Sequence, residues 1–148
     1  MGKFLRTTDV NAELARLIRE AEFEIVLVSP FIKLHPSIRD VLEAKKKRPD
    51  VSLTVVFGKN ADNIVQSLGK GDFDFFKEFP NVEIRYSERL HAKYYANEVM
   101  AILTSMNLYD YSQNNNIEFG ILVKTNLVKD IAVALTRHRS LDSHAYTY

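Results

Sequence analysis

The chain has 148 residues, 46% of them hydrophobic and 26% charged, with 5 glycines, 4 prolines and no cysteine. That is enough chain for one domain with a core of its own, residues 1–148 as a single unit, and it excludes disordered, collagen-like and low-complexity classes along with disulfide frameworks, cysteine-based zinc sites and thiol catalysis. Twenty basic against nineteen acidic residues give a formal charge of +1, so any grip on a polyanion is local rather than a matter of bulk charge.

The first residues, Met1 to Arg6, contain no apolar signal core, and Arg6 stands where a myristoylation signal requires Ser or Thr. No later run approaches the roughly 20 apolar residues of a membrane helix. The expectation is a cytoplasmic protein without integral membrane association.

Val10, Leu14, Leu17, Ile18 and Ala21 recur at helical spacing behind Thr7-Thr8-Asp9 and Asn11, which offer capping oxygens, so a helix is predicted over about 11–21. Glu24 to Val28 is a short β-branched and aliphatic run closed by Ser29-Pro30, the pattern of a buried strand. Pro36 suits the first turn of a second helix, 36–47, with Ile38, Val41 and Leu42 on its buried face. Val51 to Phe57 reads as a strand stopped by Gly58. Residues 61–79 read as helix broken at Gly69 and Gly71, and Val82 to Tyr86 alternates as a strand.

The second half changes character. Lys93 to Ala96 and Val99 to Thr104 read as two strands about Asn97-Glu98, because Asn tolerates the backbone of a tight turn. A polar loop, 107–115, leads to a strand over 117–123, and Asn126 can cap a last helix over about 127–138. Helices alternating with strands, followed by hairpin strands, predict an α/β fold: a mixed β-sheet flanked by helices on both faces. No internal repeat is present.

Of four histidines, His35 precedes Pro36 in a loop, and His138 and His144 lie in the last helix and a polar tail, where solvated surface roles suffice. His91 differs by its neighbours. In Leu90-His91-Ala92-Lys93 the two positions flanking Ala92 share one face of a strand, so an imidazole and an ammonium project together. The adjacent cation opposes a metal, and no second histidine or carboxylate stands at a ligand spacing such as HExxH. A phosphate suits the pair, with the ring nitrogen as nucleophile and the ammonium neutralising the oxygens as charge builds.

Further along come Thr104-Ser105-Met106-Asn107 and Asn116-Ile117-Glu118. The order His-x-Lys, Ser-x-Asn, Asn-x-Glu over residues 84–123 resembles the catalytic signature of the phospholipase D superfamily, and the intervals resemble its single-motif bacterial nuclease branch. Two positions depart from the family pattern: Glu98 stands five residues after Lys93 where Asp is usual, and Thr104 replaces the Gly of a Gly-Ser pair that usually lies one residue further on. Thr for Gly narrows the space beside the pocket.

The resemblance implies the phospholipase D/nuclease-like fold and a two-step displacement at phosphorus with no cofactor and no metal. His91 would attack to form a phosphohistidine, and a second histidine would protonate the leaving oxygen and then deprotonate water. Lys93 and Asn107 would hold the non-bridging oxygens with Ser105 assisting, Glu118 would fix a histidine tautomer, and Asn116 would brace that carboxylate or line the pocket. One motif supplies one histidine where the chemistry asks for two, which predicts a twofold homodimer with a shared pocket.

Nucleic acid is the expected substrate, because short single-motif members are commonly nucleases. Phospholipid hydrolysis or transfer, and a non-catalytic binding domain, are the alternatives. Lys59 is a candidate phosphate contact, as are Lys33 and Arg89, and Tyr109 and Tyr111 are candidates to stack on bases. Tyr94 and Tyr95 read as packing, and the basic run Lys45-Lys46-Lys47-Arg48 as a solvated helix end.

Overall fold

The computed structural model describes residues 2–58, 63–109 and 116–136. In chain order its elements are β1 (Lys3–Arg6), α1 (Thr7–Glu20), β2 (Glu24–Val28), β3 (Ile32–Lys33), α2 (Pro36–Lys45), β4 (Ser52–Gly58), α3 (Ile64–Ser67) and α4 (Lys70–Lys77). There follow β5 (Val82–Ser87), β6 (Tyr94–Asn97), β7 (Met100–Thr104), β8 (Leu108–Tyr109), β9 (Phe119–Lys124), a 3-10 turn (Thr125–Leu127) and α5 (Lys129–Thr136).

Seven strands form a mixed sheet in the order β1-β9-β7-β6-β2-β4-β5. Strands β2, β4 and β5 are parallel neighbours, joined through α2 and through α3 and α4. From β6 onward each neighbouring pair is antiparallel, out to β1 at the edge. This is the expected mixed sheet.

Alternation along the strands divides the interior into two layers. Ile25, Leu27, Leu53, Val55, Phe57, Tyr95 and Ile102 point to one layer, closed by α1, α2 and the phenylalanines of α4. Val26, Val28, Val56, Tyr94, Ala96 and Ala101 point to the other, where Leu90 and the partly buried Val128, Ala132 and Leu135 of the C-terminal region pack. Strand β2 therefore has apolar residues on both faces, which is why its sequence reads as an unbroken aliphatic run rather than an alternation.

Several boundaries differ from the expected ones for identifiable reasons. Helix α1 starts at Thr7 because Asp9 receives the Arg6 backbone N–H at 3.1 Å, so a carboxylate in the first turn closes the helix start and Asn11 falls inside. The turn between β6 and β7 centres on Glu98-Val99: Asn97 Oδ1 accepts from the backbone N–H of Val99 and of Met100, each at 2.8 Å. His35, at the surface as expected, also caps α2, its Nδ1 accepting from Ser37 N–H at 3.1 Å. Strands β1, β3 and β8 have no counterpart in the sequence pattern, since two to four residues carry no readable period.

Two glycines set close approaches. At Gly58 an added Cβ would lie 1.6 Å from the Ser87 carbonyl oxygen and 3.3 Å from Leu90 Cβ. The absent side chain lets the 87–90 turn cross the end of β4. At Gly120 the same atom would meet Val10 Cγ2 of α1 at 3.1 Å.

Candidate active site

Strand direction brings the signature segments together. Strand β6 starts beside the end of β2, since Tyr94 pairs with Val28, and β7 ends beside the start of β9, since Thr104 pairs with Gly120. The segment before β6 carries His91 and Lys93, the segment after β7 carries Ser105 and Asn107, and the segment before β9 carries Asn116 and Glu118. Because β6 and β9 begin at the end of the sheet where β7 stops, all three meet there, at the carboxyl ends of the parallel strands β2 and β4.

His91 is exposed between the buried Leu90 and the strand start, and Lys93 is half-buried. The two residues precede β6 rather than lying within it, which corrects the expectation of a strand that begins at Lys93 and carries both side chains on one face. The sheet register nevertheless reaches that residue, because Thr104 N–H donates to the Lys93 carbonyl at 3.3 Å. The 87–90 turn, closed by Leu90 N–H to Ser87 O at 3.2 Å, feeds directly into His91.

The Ser-x-Asn and Asn-x-Glu segments are tied to one another. Ser105 Oγ donates to Glu118 Oε2, and Ser105 N–H donates to the Phe119 carbonyl at 3.1 Å. Thr104 takes part as well: its hydroxyl donates to the Phe119 carbonyl and accepts Met106 N–H at 3.0 Å. That threonine therefore fastens the turn after β7 to β9, which is a structural use for the side chain expected to narrow the pocket. Glu118 is held from its backbone side by Thr7 at the start of α1, whose Oγ1 accepts Glu118 N–H at 2.8 Å and donates to Glu118 O at 3.1 Å. Asn116 is exposed at the start of the same segment.

Asn107 is positioned from β2. The wholly buried Ser29 donates to Phe31 O at 2.7 Å, accepts Leu108 N–H at 3.0 Å and stands 3.3 Å from Asn107 Oδ1. The Asn107 carboxamide thus lies against the Ser29 hydroxyl at the end of β2. Beneath these groups Tyr95 donates to the Met106 carbonyl at 2.7 Å. Burial first, and the Glu118 charge in addition, hold its phenol well above the ordinary value despite the opposing effect of the Ser29 hydroxyl beside it. Tyr94, buried against the opposite layer, is pushed up to about 12 by burial and the charge of Glu24. Both tyrosines are packing residues, as their strand positions suggested.

Ser29 and Thr7 are beyond the reach of sequence reasoning: the Ser-Pro step reads as a strand terminator and Thr7 as a cap candidate, and nothing local signals partners 78 and 111 positions away.

Tyr109, on β8, lines a cleft of about 350 Å³ together with Lys33, whose ammonium lies 5.9 Å from the ring centroid. Lys59 lies outside the described residues, as do Tyr111, His138 and His144. Arg89 is exposed in the turn before His91. The basic run at the end of α2 is largely spent within the chain: Lys45 donates to Ala21 O at 2.7 Å, Lys46 pairs with Glu43 at 2.8 Å and Arg48 with Asp50 at 3.0 Å.

Glu98 sits at the far end of the sheet. Its carboxylate accepts the backbone N–H groups of Glu22, Phe23 and Glu24 at 2.9–3.2 Å, fixing the entry to β2. Partial burial opposes its ionisation, but the backbone donors outweigh it and lower the carboxyl below its usual range. Among the described residues no group of three His, Asp or Glu side chains could hold a metal ion.

A family model described as "Cardiolipin synthase, PLD-like domain" matches residues 14–138. A search of curated proteins finds no match to the sequence. Among solved structures, Nuc, a phospholipase D family member from Salmonella typhimurium, superposes with a TM-score of 0.71 at 15% identity, covering 97% of this chain and 99% of that one. NucT from Helicobacter pylori gives 0.72 at 14% identity over 93% and 94% of the two chains. Phosphatidylserine synthase from Haemophilus influenzae gives 0.75 at 14% identity, covering 95% of this chain but 39% of that one.

Proposed function

This chain belongs to the phospholipase D-like domain family, and from that premise we propose that it is a metal-independent phosphodiesterase that cuts nucleic acid through a phosphohistidine intermediate. The observation that carries the reading is the convergence of the segments holding His91 and Lys93, Ser105 and Asn107, and Asn116 and Glu118 at one end of the sheet. We read residues 1–148 as one such domain.

In the first step a ring nitrogen of His91 attacks phosphorus. The N–P bond forms as the bond to the leaving oxygen breaks, and that oxygen takes a proton from a second imidazole. In the second step the same imidazole removes a proton from water as the water oxygen displaces His91. Lys93 neutralises the non-bridging oxygens while charge builds and the Asn107 carboxamide hydrogen-bonds them, a role that its packing against Ser29 serves by holding the side chain in place. Ser105 and Thr7 hold Glu118, which orients a histidine ring and sets its tautomer. Asn116, Lys59 and Tyr109 complete the substrate-binding set.

The second imidazole comes from a second copy of the chain, His91 facing His91 across a twofold axis. An apolar strip beside Glu118 supports such a partner. On the β1–β9 edge, Leu5 and Leu122 are buried under α1, while the alternate positions Phe4, Phe119 and Ile121 are 66%, 50% and 41% exposed. Exposed apolar area concentrated in this way is characteristic of an interface.

Nucleic acid is favoured over lipid as substrate because the match to Nuc and NucT runs end to end, whereas phosphatidylserine synthase is more than twice the length matched. Among the described residues no helix is long and apolar enough to cross a membrane. The likeness to that synthase supports a second reading, a phospholipid-acting hydrolase or transferase. Plasmid DNA and RNA incubated with the protein in EDTA should be cut, and His91→Ala should abolish the cutting. Headgroup release from phospholipid vesicles without any cutting of nucleic acid would select the second reading instead.

A further inference from the structure

We propose that the cleft between the β3–β8 ribbon and the α3–α4 turn is a subsite for one unpaired nucleobase, so that the protein prefers single-stranded nucleic acid. The inference rests on the nuclease reading above and adds the form of substrate to it.

The cleft begins where the phosphate-binding groups end. Asn107 is followed by Leu108 and Tyr109 on β8, which pairs with Ile32 and Lys33 of β3. Ser29 holds the base of this ribbon by receiving Leu108 N–H while standing against Asn107. Two residues of extended chain, about 6.6 Å, separate Asn107 from Tyr109. A nucleotide whose phosphate is held at Asn107 therefore has its neighbouring base within reach of the tyrosine.

The lining suits a base. Its volume of about 350 Å³ falls in the range of small-ligand sites. Tyr109 supplies an aromatic surface, Ile32, Leu34 and Val65 supply apolar wall, and the Gln66 carboxamide carries both a donor and an acceptor at the rim. The Lys33 ammonium lies over the Tyr109 ring, 5.9 Å from its centroid, and adds positive charge to this aromatic wall. Asp72 also borders the cleft, but its charge is compensated, since Oδ1 receives Arg39 Nη1 at 2.8 Å and Oδ2 receives Leu34 N–H at 3.0 Å. The mouth is open at Gly69 and Gly71, where an added Cβ would meet nothing within 4 Å. A base paired and stacked in a duplex cannot enter such a recess without leaving its stack, whereas an unpaired base enters without that cost.

Binding is measured by fluorescence anisotropy in EDTA, using the full chain carrying His91→Ala so that nothing is cut, with a labelled single-stranded oligonucleotide, its duplex and the same strand made abasic. The single strand should bind about tenfold or more tighter than the duplex, and Tyr109→Ala should weaken it by about tenfold, as should removal of the bases. Gly71→Leu, which fills the mouth from within α4 and leaves Tyr109 in place, should weaken the single strand similarly without lowering the melting temperature. Equal binding of single strand and duplex, or single-strand binding indifferent to both Tyr109→Ala and Gly71→Leu, overturns the subsite. So does a loss confined to binding of anionic phospholipid vesicles. If the single strand binds through Tyr109 and yet wild-type protein cuts no nucleic acid, the subsite stands and the nuclease reading falls. If single strand and duplex are cut and bound alike, the nuclease reading stands and the subsite falls.

Discussion

Gly58→Ala tests whether the 87–90 turn sets the position of His91. The added Cβ would sit 1.6 Å from the Ser87 carbonyl oxygen and 2.7 Å from its carbon. An ordinary carbon–oxygen contact is about 3.3 Å, so Ser87 has to retreat by about 1.7 Å. The obstacle is backbone on the neighbouring strand, paired with Gly58 itself, so no side-chain rotation relieves it. Leu90, 3.3 Å from the new atom, is the buried anchor immediately before His91, and the shift is passed along the chain to that residue. Overpacking of this kind costs about 1–3 kcal/mol of stability, and a displacement of about 1 Å at a reacting group costs on the order of a hundredfold in rate. The assay is urea unfolding together with the rate of oligonucleotide cleavage in EDTA. A Gly58→Ala protein with wild-type stability and rate would refute the reasoning.

Three further outcomes follow from contacts remote from His91. Glu98→Gln should cost about 1 kcal/mol at neutral pH, discounted for the partial exposure of the carboxylate. The folded-state pKa is depressed, so the contribution of Glu98 is present above its unfolded pKa and lost as pH falls through the folded one; urea titrations should show the wild type converging on the variant in acid. Ser29→Ala should destabilise by about 1–3 kcal/mol by orphaning Leu108 N–H and should lower kcat more than it raises KM, because Asn107 loses its support. Asp at both Phe4 and Ile121 should yield a folded monomer by sedimentation with little activity, and an active monomer at assay concentration would dismiss the shared pocket.

Much of the architecture is legible in the sequence where the period is strong. Val10, Leu14, Leu17 and Ile18 mark α1 through its buried face, and the aliphatic runs of β2 and β4 mark strands covered on both sides. The candidate site is legible for a different reason: His-x-Lys, Ser-x-Asn and Asn-x-Glu are each local, and strand direction brings the segments that carry them to one end of the sheet. What escapes is long-range or very short. Ser29 to Asn107 and Thr7 to Glu118 are contacts between residues that no local pattern couples, and the β3–β8 ribbon offers two residues per strand. The acidic residue after Lys93 belongs to the signature in sequence but braces the opposite end of the sheet in space, where the longer Glu98 side chain reaches three backbone donors.

The most direct measurement uses a phosphodiester labelled at phosphorus, a quench in alkali, where phosphohistidine survives, and mapping of the label. The account predicts label on His91, absent from His91→Ala protein. Label on another residue, or turnover with no covalent phosphorus at any time point, would contradict it.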